Sequence, residues 1–303
     1  MQIYLTGFRV FSLLCLLSAS ADHAGATAQE NMTFVSIPAG VFYMGAMPHD
    51  PAASPDEWPQ HEVQIADAYA LSTTLVTRGA FAAFVAATGY HVPPGCWTLT
   101  EAGWNFSARA TWRNPGFEQT DAHPVVCVSR ADALSFLHWA GVRDQTSYRL
   151  PSEAEWDHAA RLDGAAPWHT PAQICDYGNV NDLTAKNKVA KVAEPCEDGF
   201  LFTSPVAHFR AGPYGLYDMI GNVWEWTEDC AHDDYTQAPV DGSAARRPHC
   251  TTYVLRGHSW TDAPGPVRLE TRLFLDGTER QSLVGFRVAK ENATDADAGS
   301  GAP

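Results

Sequence analysis

From Leu162 to Ser259, roughly a third of the chain, the regular pattern fades and few runs are long enough for a helix. Gly, Pro, Asn, Asp and isolated aromatics dominate, residues that end ladders rather than extend them. A segment so rich in aromatic side chains cannot be a solvated linker, because their burial demands a fixed frame. That frame has to come from something other than backbone ladders, such as disulfides or bound ions.

The N-terminus bears on which of these is available. Residues 1–30 read as a cleaved secretory signal peptide: Arg9 is the positive end and Val10 to Leu17 the short apolar run. Ala19-Ser20-Ala21 and Ala26-Thr27-Ala28 are rival cleavage sites. The run is too short to span a membrane comfortably, and no later stretch is long and charge-free enough to do so. Cys15 follows Leu14 where a lipoprotein signal wants a small residue, so it is assigned to the discarded leader. The expected location is periplasmic or secreted. There, Cys96, Cys127, Cys175, Cys196, Cys230 and Cys250 are disulfide candidates. Fifteen full connectivities are open. Nearness in sequence favours 175–196 and 230–250, which leaves 96–127. None of them has zinc-ligand spacing.

The net charge of −15 argues against nucleic acid, whose phosphates want a basic face. It suits an exported protein or one that binds cations. Residues 34–46 alternate around Pro38-Ala39-Gly40 and predict a hairpin, His61 to Leu71 predicts a strand, and Val284 to Lys290 a closing strand. Three helices are legible from their caps: one after Thr77 ending at Gly89, one after Ser129 ending before Gly141, and one after Ser152. In the last, Ser152 and Glu155 have capping-box spacing. His158 on that helix reads as a solvated or core-edge residue. Glu291 to Pro303 reads as a disordered tail.

Five blocks then occur in order: IPAGVFYMG (37–45), YRLPSEAEWDHAAR (148–161), GLYDMIGNVWEW (215–226), LRGHSW (255–260) and VGFRVA (284–289). Together they resemble the formylglycine-generating enzymes, the sulfatase-modifying factor superfamily, over about residues 33–290. The resemblance implies an α+β protein with a variant of the C-type lectin fold, low in regular secondary structure and with long ordered loops. It also implies structural calcium. One set of ligands would be Asp218, Gly221, Val223 and Glu225, the other Asn179, Val180, Asp198 and Phe200. Carboxylates and turn carbonyls suit a cation that takes six to eight oxygens in flexible geometry.

One departure bears on function. Oxidising members carry two copper-binding cysteines after the LRGHSW block, and the corresponding positions here are Asp262 and Val267. Neither supplies the thiolate that soft copper and its redox chemistry require, so copper is not expected. His258 also replaces a glycine of that block. The candidate reactive residues are therefore His258, Ser259 and Asp262, with Trp224, Trp260 and Arg268 lining the pocket. Arg272 and Arg287 read as ion-pairing residues that tie down loops.

Two functions compete. One is a divergent oxidase or other modifying enzyme that does without the copper-binding cysteines. The PvdO-like branch, periplasmic proteins associated with siderophore maturation, is its precedent. The other is a calcium-stabilised lectin-like module that binds a protein, peptide or glycan. Orthodox formylglycine generation is a distant third. The partner is an unidentified protein, peptide or small-molecule substrate.

Overall fold

The structure is a computed structural model, which describes residues 32–100, 103–162, 171–186, 188–189, 193–262 and 268–292. The expected signal peptide, Val267 and the tail beyond Asn292 lie outside the described residues. In chain order the strands are β1 (Phe34–Ile37), β2 (Gly40–Met44), β3 (His61–Ile65), β4 (Tyr69–Ser72), β5 (Cys96–Thr100), β6 (Gly103–Ser107), β7 (Trp224–Cys230), β8 (Thr252–Arg256), β9 (Leu273–Asp276), β10 (Val284–Gly285) and β11 (Ala289–Glu291). The helices are α1 (Arg78–Thr88), α2 (Arg130–Asp144) and α3 (Glu153–Leu162). The chain is thus a mixed α+β protein with small sheets and long ordered connections.

Four sheets share the strands. Their orders are β1–β4–β11, β10–β7–β8–β9, β2–β3 and β5–β6. This corrects three expectations. Residues 34–46 do not form a hairpin, because β1 pairs with β4 and β2 pairs with β3. The stretch from His61 to Leu71 is two strands in two sheets, separated at Ala66 to Ala68. The closing segment likewise splits, with β10 parallel to β7 and β11 antiparallel to β4.

The helices follow their caps. Thr77 accepts from the Ala80 amide, and Gly89 ends α1 at φ 68°. Ser129 and Asp132 form a full capping box on α2. That helix, however, runs through Gly141 to Asp144 and ends on Gln145 at φ 52°. Gly141 is a packing site rather than a stop: a Cβ there would lie 2.6 Å from the Thr146 carbonyl oxygen. Helices α1 and α2 pack Phe81, Phe84 and Phe136 into one core with Trp226, Trp260 and Phe286.

Helix α3 is unusual, since every residue from Glu153 to Ala160 is buried. Trp156 and Ala159 join a second core with Ile37, Val63 and Leu71. The acidic face meets Arg256 of β8, fully buried, which bonds Glu153 at 3.0 Å and Asp157 at 2.9 Å. Arg272 adds a second guanidinium on Glu153 at 2.8 Å. Glu153 and Asp157 are thus each answered by a guanidinium, as burial of charge requires. His158, expected near solvent, is buried between Phe42 and Tyr69, and burial lowers its pKa.

The disulfides are 96–127, 175–196 and 230–250, with Cα separations of 5.5, 6.0 and 5.9 Å. Two of them fasten the irregular segment. No helix among the described residues is long and apolar enough to cross a membrane.

Candidate functional site

Strand β8 delivers the loop that carries the candidate reactive residues. Gly257 and His258 both have positive φ, 105° and 64°. The left-handed conformation is what a glycine would favour, and His258 holds it where the resemblance implies glycine. Trp260 N–H donates to the Asn222 carbonyl at 3.1 Å, which docks the loop on the turn before β7. Asp262 closes it: its Oδ2 accepts from the Ser259 N–H and, at 2.9 Å, from the Ser259 hydroxyl.

His258 lies across Trp224 with ring centroids 5.0 Å apart. Its Nε2 is 2.9 Å from the Arg268 carbonyl oxygen. A carbonyl only accepts, so Nε2 carries the hydrogen in the neutral ring and Nδ1 holds the lone pair. That Nδ1 is buried with no hydrogen-bond partner, and it stands 3.8 Å from Asp262 Oδ2. Burial is the largest effect on both groups, lowering the His258 pKa and raising that of Asp262. Each partner opposes the shift in the other. A base and an acid pushed toward their neutral forms, side by side, can exchange a proton with a bound molecule.

The structure brings together His258, Ser259, Asp262 and Trp224, but it turns two other side chains away. Trp260 is 1 % exposed; its indole N–H donates to the Ser282 carbonyl and its ring packs on Phe117 and Phe202. The guanidinium of Arg268 reaches Asp50 at 2.8 Å and Glu57 at 2.6 Å. Only its carbonyl meets His258, so it positions the imidazole and ties residues 50–57 to the loop. Both were expected to line the pocket, but side-chain direction is set by packing the sequence does not reveal.

The two expected calcium segments touch. A Cβ at Gly178 would lie 2.1 Å from the Ile220 oxygen, and one at Gly221 would lie 2.2 Å from the Asn179 oxygen. Asn222 N–H donates to that same Asn179 oxygen at 2.7 Å. In the Asn179–Asp198 set, Asn179 is fully buried and its Oδ1 has no hydrogen-bond partner. The Asp198 carboxylate beside it accepts from Val180 and Phe200, yet burial pushes its pKa up to about 7. An orphaned oxygen and a poorly compensated carboxylate fit a hard cation. Asp182, not singled out from the sequence, joins this cluster, its carboxylate accepting from the Asp198 N–H. Its neighbour Cys175 is in a disulfide and offers no thiolate.

The Asp218–Glu225 set fits less well. Both oxygens of Glu225 are taken by Arg287 at 2.6 and 2.8 Å, and Trp156 adds a third bond. Asp218 is buried with a raised pKa, burial being the main cause, and accepts from Ala207 and Asn222. Arg287 also bonds the carbonyls of Ser72, Tyr217 and Asp218, and so knits three segments together.

Comparisons agree with this architecture. The model of the sulfatase-modifying factor enzyme 1-like domain matches residues 20–292. The formylglycine-generating enzyme of Thermomonospora curvata is 35 % identical over 267 residues, covering 75 % of this chain and 82 % of the relative. The inactive C-alpha-formylglycine-generating enzyme 2 of Bos taurus is 31 % identical over 326 residues, covering 92 % and 94 %. Among solved structures, PvdO from Pseudomonas aeruginosa superposes with a TM-score of 0.71 at 32 % identity, covering 86 % of this chain and 94 % of its own. The chain is therefore a member of the sulfatase-modifying factor enzyme 1-like domain family.

Proposed function

We propose that this chain is an exported modifying enzyme of its family that works through the His258–Asp262 pair rather than a copper–thiolate centre. The observation that carries this reading is the buried, unpartnered Nδ1 of His258 facing Asp262 at 3.8 Å. Asp262 occupies the first position where the resemblance implies a cysteine, and a hard carboxylate beside an imidazole is a poor holder of Cu(I). The pair offers general acid–base chemistry instead. The likeness to PvdO and to relatives named inactive supports a departure from orthodox formylglycine generation. Calcium in the Asn179–Asp198 segment would be structural, and the scaffold would be a variant of the C-type lectin fold.

The test compares a host that lacks this chain with the same host supplied with wild type or His258→Ala. Mass spectrometry of exported peptides and small molecules reads the outcome. A mass-shifted species should appear with wild type and vanish with the variant. If the variant restores it fully, the enzyme reading fails and a non-catalytic, calcium-stabilised binding module takes its place.

A further inference from the structure

An open groove of about 840 Å³, whose lining does not include His258 or Asp262, lies between the start of α1 and residues 113–123. Its cations are held in two different ways. Arg78 is ion-paired to Asp121 at 2.8 Å. Arg113 has no acidic partner among the described residues; its guanidinium is held 4.1 Å over the Trp112 ring. In a chain of 35 acidic and 20 basic side chains, a pre-positioned but unneutralised arginine is a departure from the prevailing charge.

A buried group also faces the groove. His123 is 8 % exposed and lines it. The ring is fixed from behind, with Nδ1 3.0 Å from the Thr203 hydroxyl, which in turn accepts from the Gln119 amide at 2.9 Å. Nε2 is the ring nitrogen that the Thr203 hydroxyl does not engage. The floor is rigid: Phe117 stacks on Phe202 at 4.4 Å and meets Trp260 edge-on at 5.7 Å. Glu118 stands in the same groove and can accept from backbone amides.

We infer that this groove binds a carboxylate-bearing peptide, with the carboxylate between Arg113 and His123 and peptide N–H groups toward Glu118. The planar guanidinium matches a carboxylate in two parallel bonds. The arriving anion also favours the Nε2–H form of the imidazole. The binding does not require that His258 and Asp262 be catalytic.

Calorimetry with three short probes tests it: acetyl-Gly-Ser-Asp-amide, acetyl-Gly-Ser-Gly with a free C-terminus, and acetyl-Gly-Ser-Asn-amide. Either carboxylate peptide should bind more tightly than the third, and which one binds better identifies the source of the carboxylate. Arg113→Ala should weaken that binding about tenfold, the loss expected for a bond to a charged group. Arg113 is exposed, so the variant should keep the wild-type Tm, and His123→Gln provides a second, independent weakening. His258→Ala should bind as wild type does, which separates the groove from the proposed chemistry. Equal binding of all three probes, no binding by any, an unaffected Arg113→Ala, or displacement by millimolar inorganic phosphate would each overturn the inference.

Discussion

Burying a carboxylate without a matching cation leaves a mark on how stability follows pH. Asp229 is pushed up to about 8, by burial first and then by neighbouring Glu153, and Asp198 to about 7 by burial. Both folded values exceed those of an unfolded chain, about 4. The folded protein therefore keeps protons that the unfolded chain has released. The stability linked to them is complete below about pH 4 and is lost as pH rises through 7 and 8. His123, His158 and His258 are shifted down by burial, and their opposing contribution is confined to pH below about 6.5. In chelator, the Tm should accordingly fall between pH 6.5 and 8.5, and Asp229→Asn should flatten the slope. Calorimetry across that window decides it, and a rising Tm would contradict the assignment. At His258 the positive φ makes a separate prediction. His258→Gly and His258→Val both lose the imidazole, but only valine retains the backbone strain and adds a β-branch. Valine should be the less stable by about 1–2 kcal/mol in urea unfolding.

Among the elements, α3 shows how a local signal can be read correctly and still understate what it does. Ser152 accepts from Glu155 N–H at 3.0 Å while the Glu155 carboxylate accepts from Ser152 N–H at 2.9 Å. The Ser152 hydroxyl also donates to the Gly242 carbonyl at 2.7 Å, a contact between distant segments. Ser152→Ala should therefore cost about 1–2 kcal/mol, the upper range for a cap, as read from the denaturant midpoint. Helix starts were legible because a cap and its amide are three residues apart. Strand partners were not, because pairing is decided over long separations: β4 joins β11 more than two hundred residues later. The same rule divides the functional residues. His258, Ser259 and Asp262 lie in one turn and were found together. The Arg113–His123 groove was missed because Thr203, which fixes His123, is 80 residues away. The inward turn of Trp260 depends on Phe117 and Phe202, neither of them near it in sequence.

Over the whole molecule, the irregular segment is held by the fastenings its composition demands. The 175–196 disulfide closes the loop that carries Asn179, Val180 and Asp182, and Asp198 follows two residues after the bridge. If the orphaned Asn179 Oδ1 and the Asp198 carboxylate hold the proposed calcium, cation and disulfide stabilise the same loop. A ligand that binds only the folded state then adds about 2.7 kcal/mol at a hundredfold excess over its Kd. The Tm should rise with calcium after chelator treatment, and magnesium should do less, because its rigid octahedron suits a turn of carbonyls poorly. Asn179→Ala should remove the calcium-dependent rise while leaving the metal-free stability within about 1 kcal/mol of wild type, since removing an unfavourable unpaired oxygen offsets the lost Nδ2 bond to the Phe202 carbonyl. Replacing both Cys175 and Cys196 with alanine should lower the metal-free Tm and also the calcium affinity, because the loop must then be ordered as the ion binds. A calcium response that survives Asn179→Ala unchanged would move the ion away from this loop. One that is absent in wild type as well would leave the disulfides and the Arg287–Glu225 pair as the fastenings of the segment.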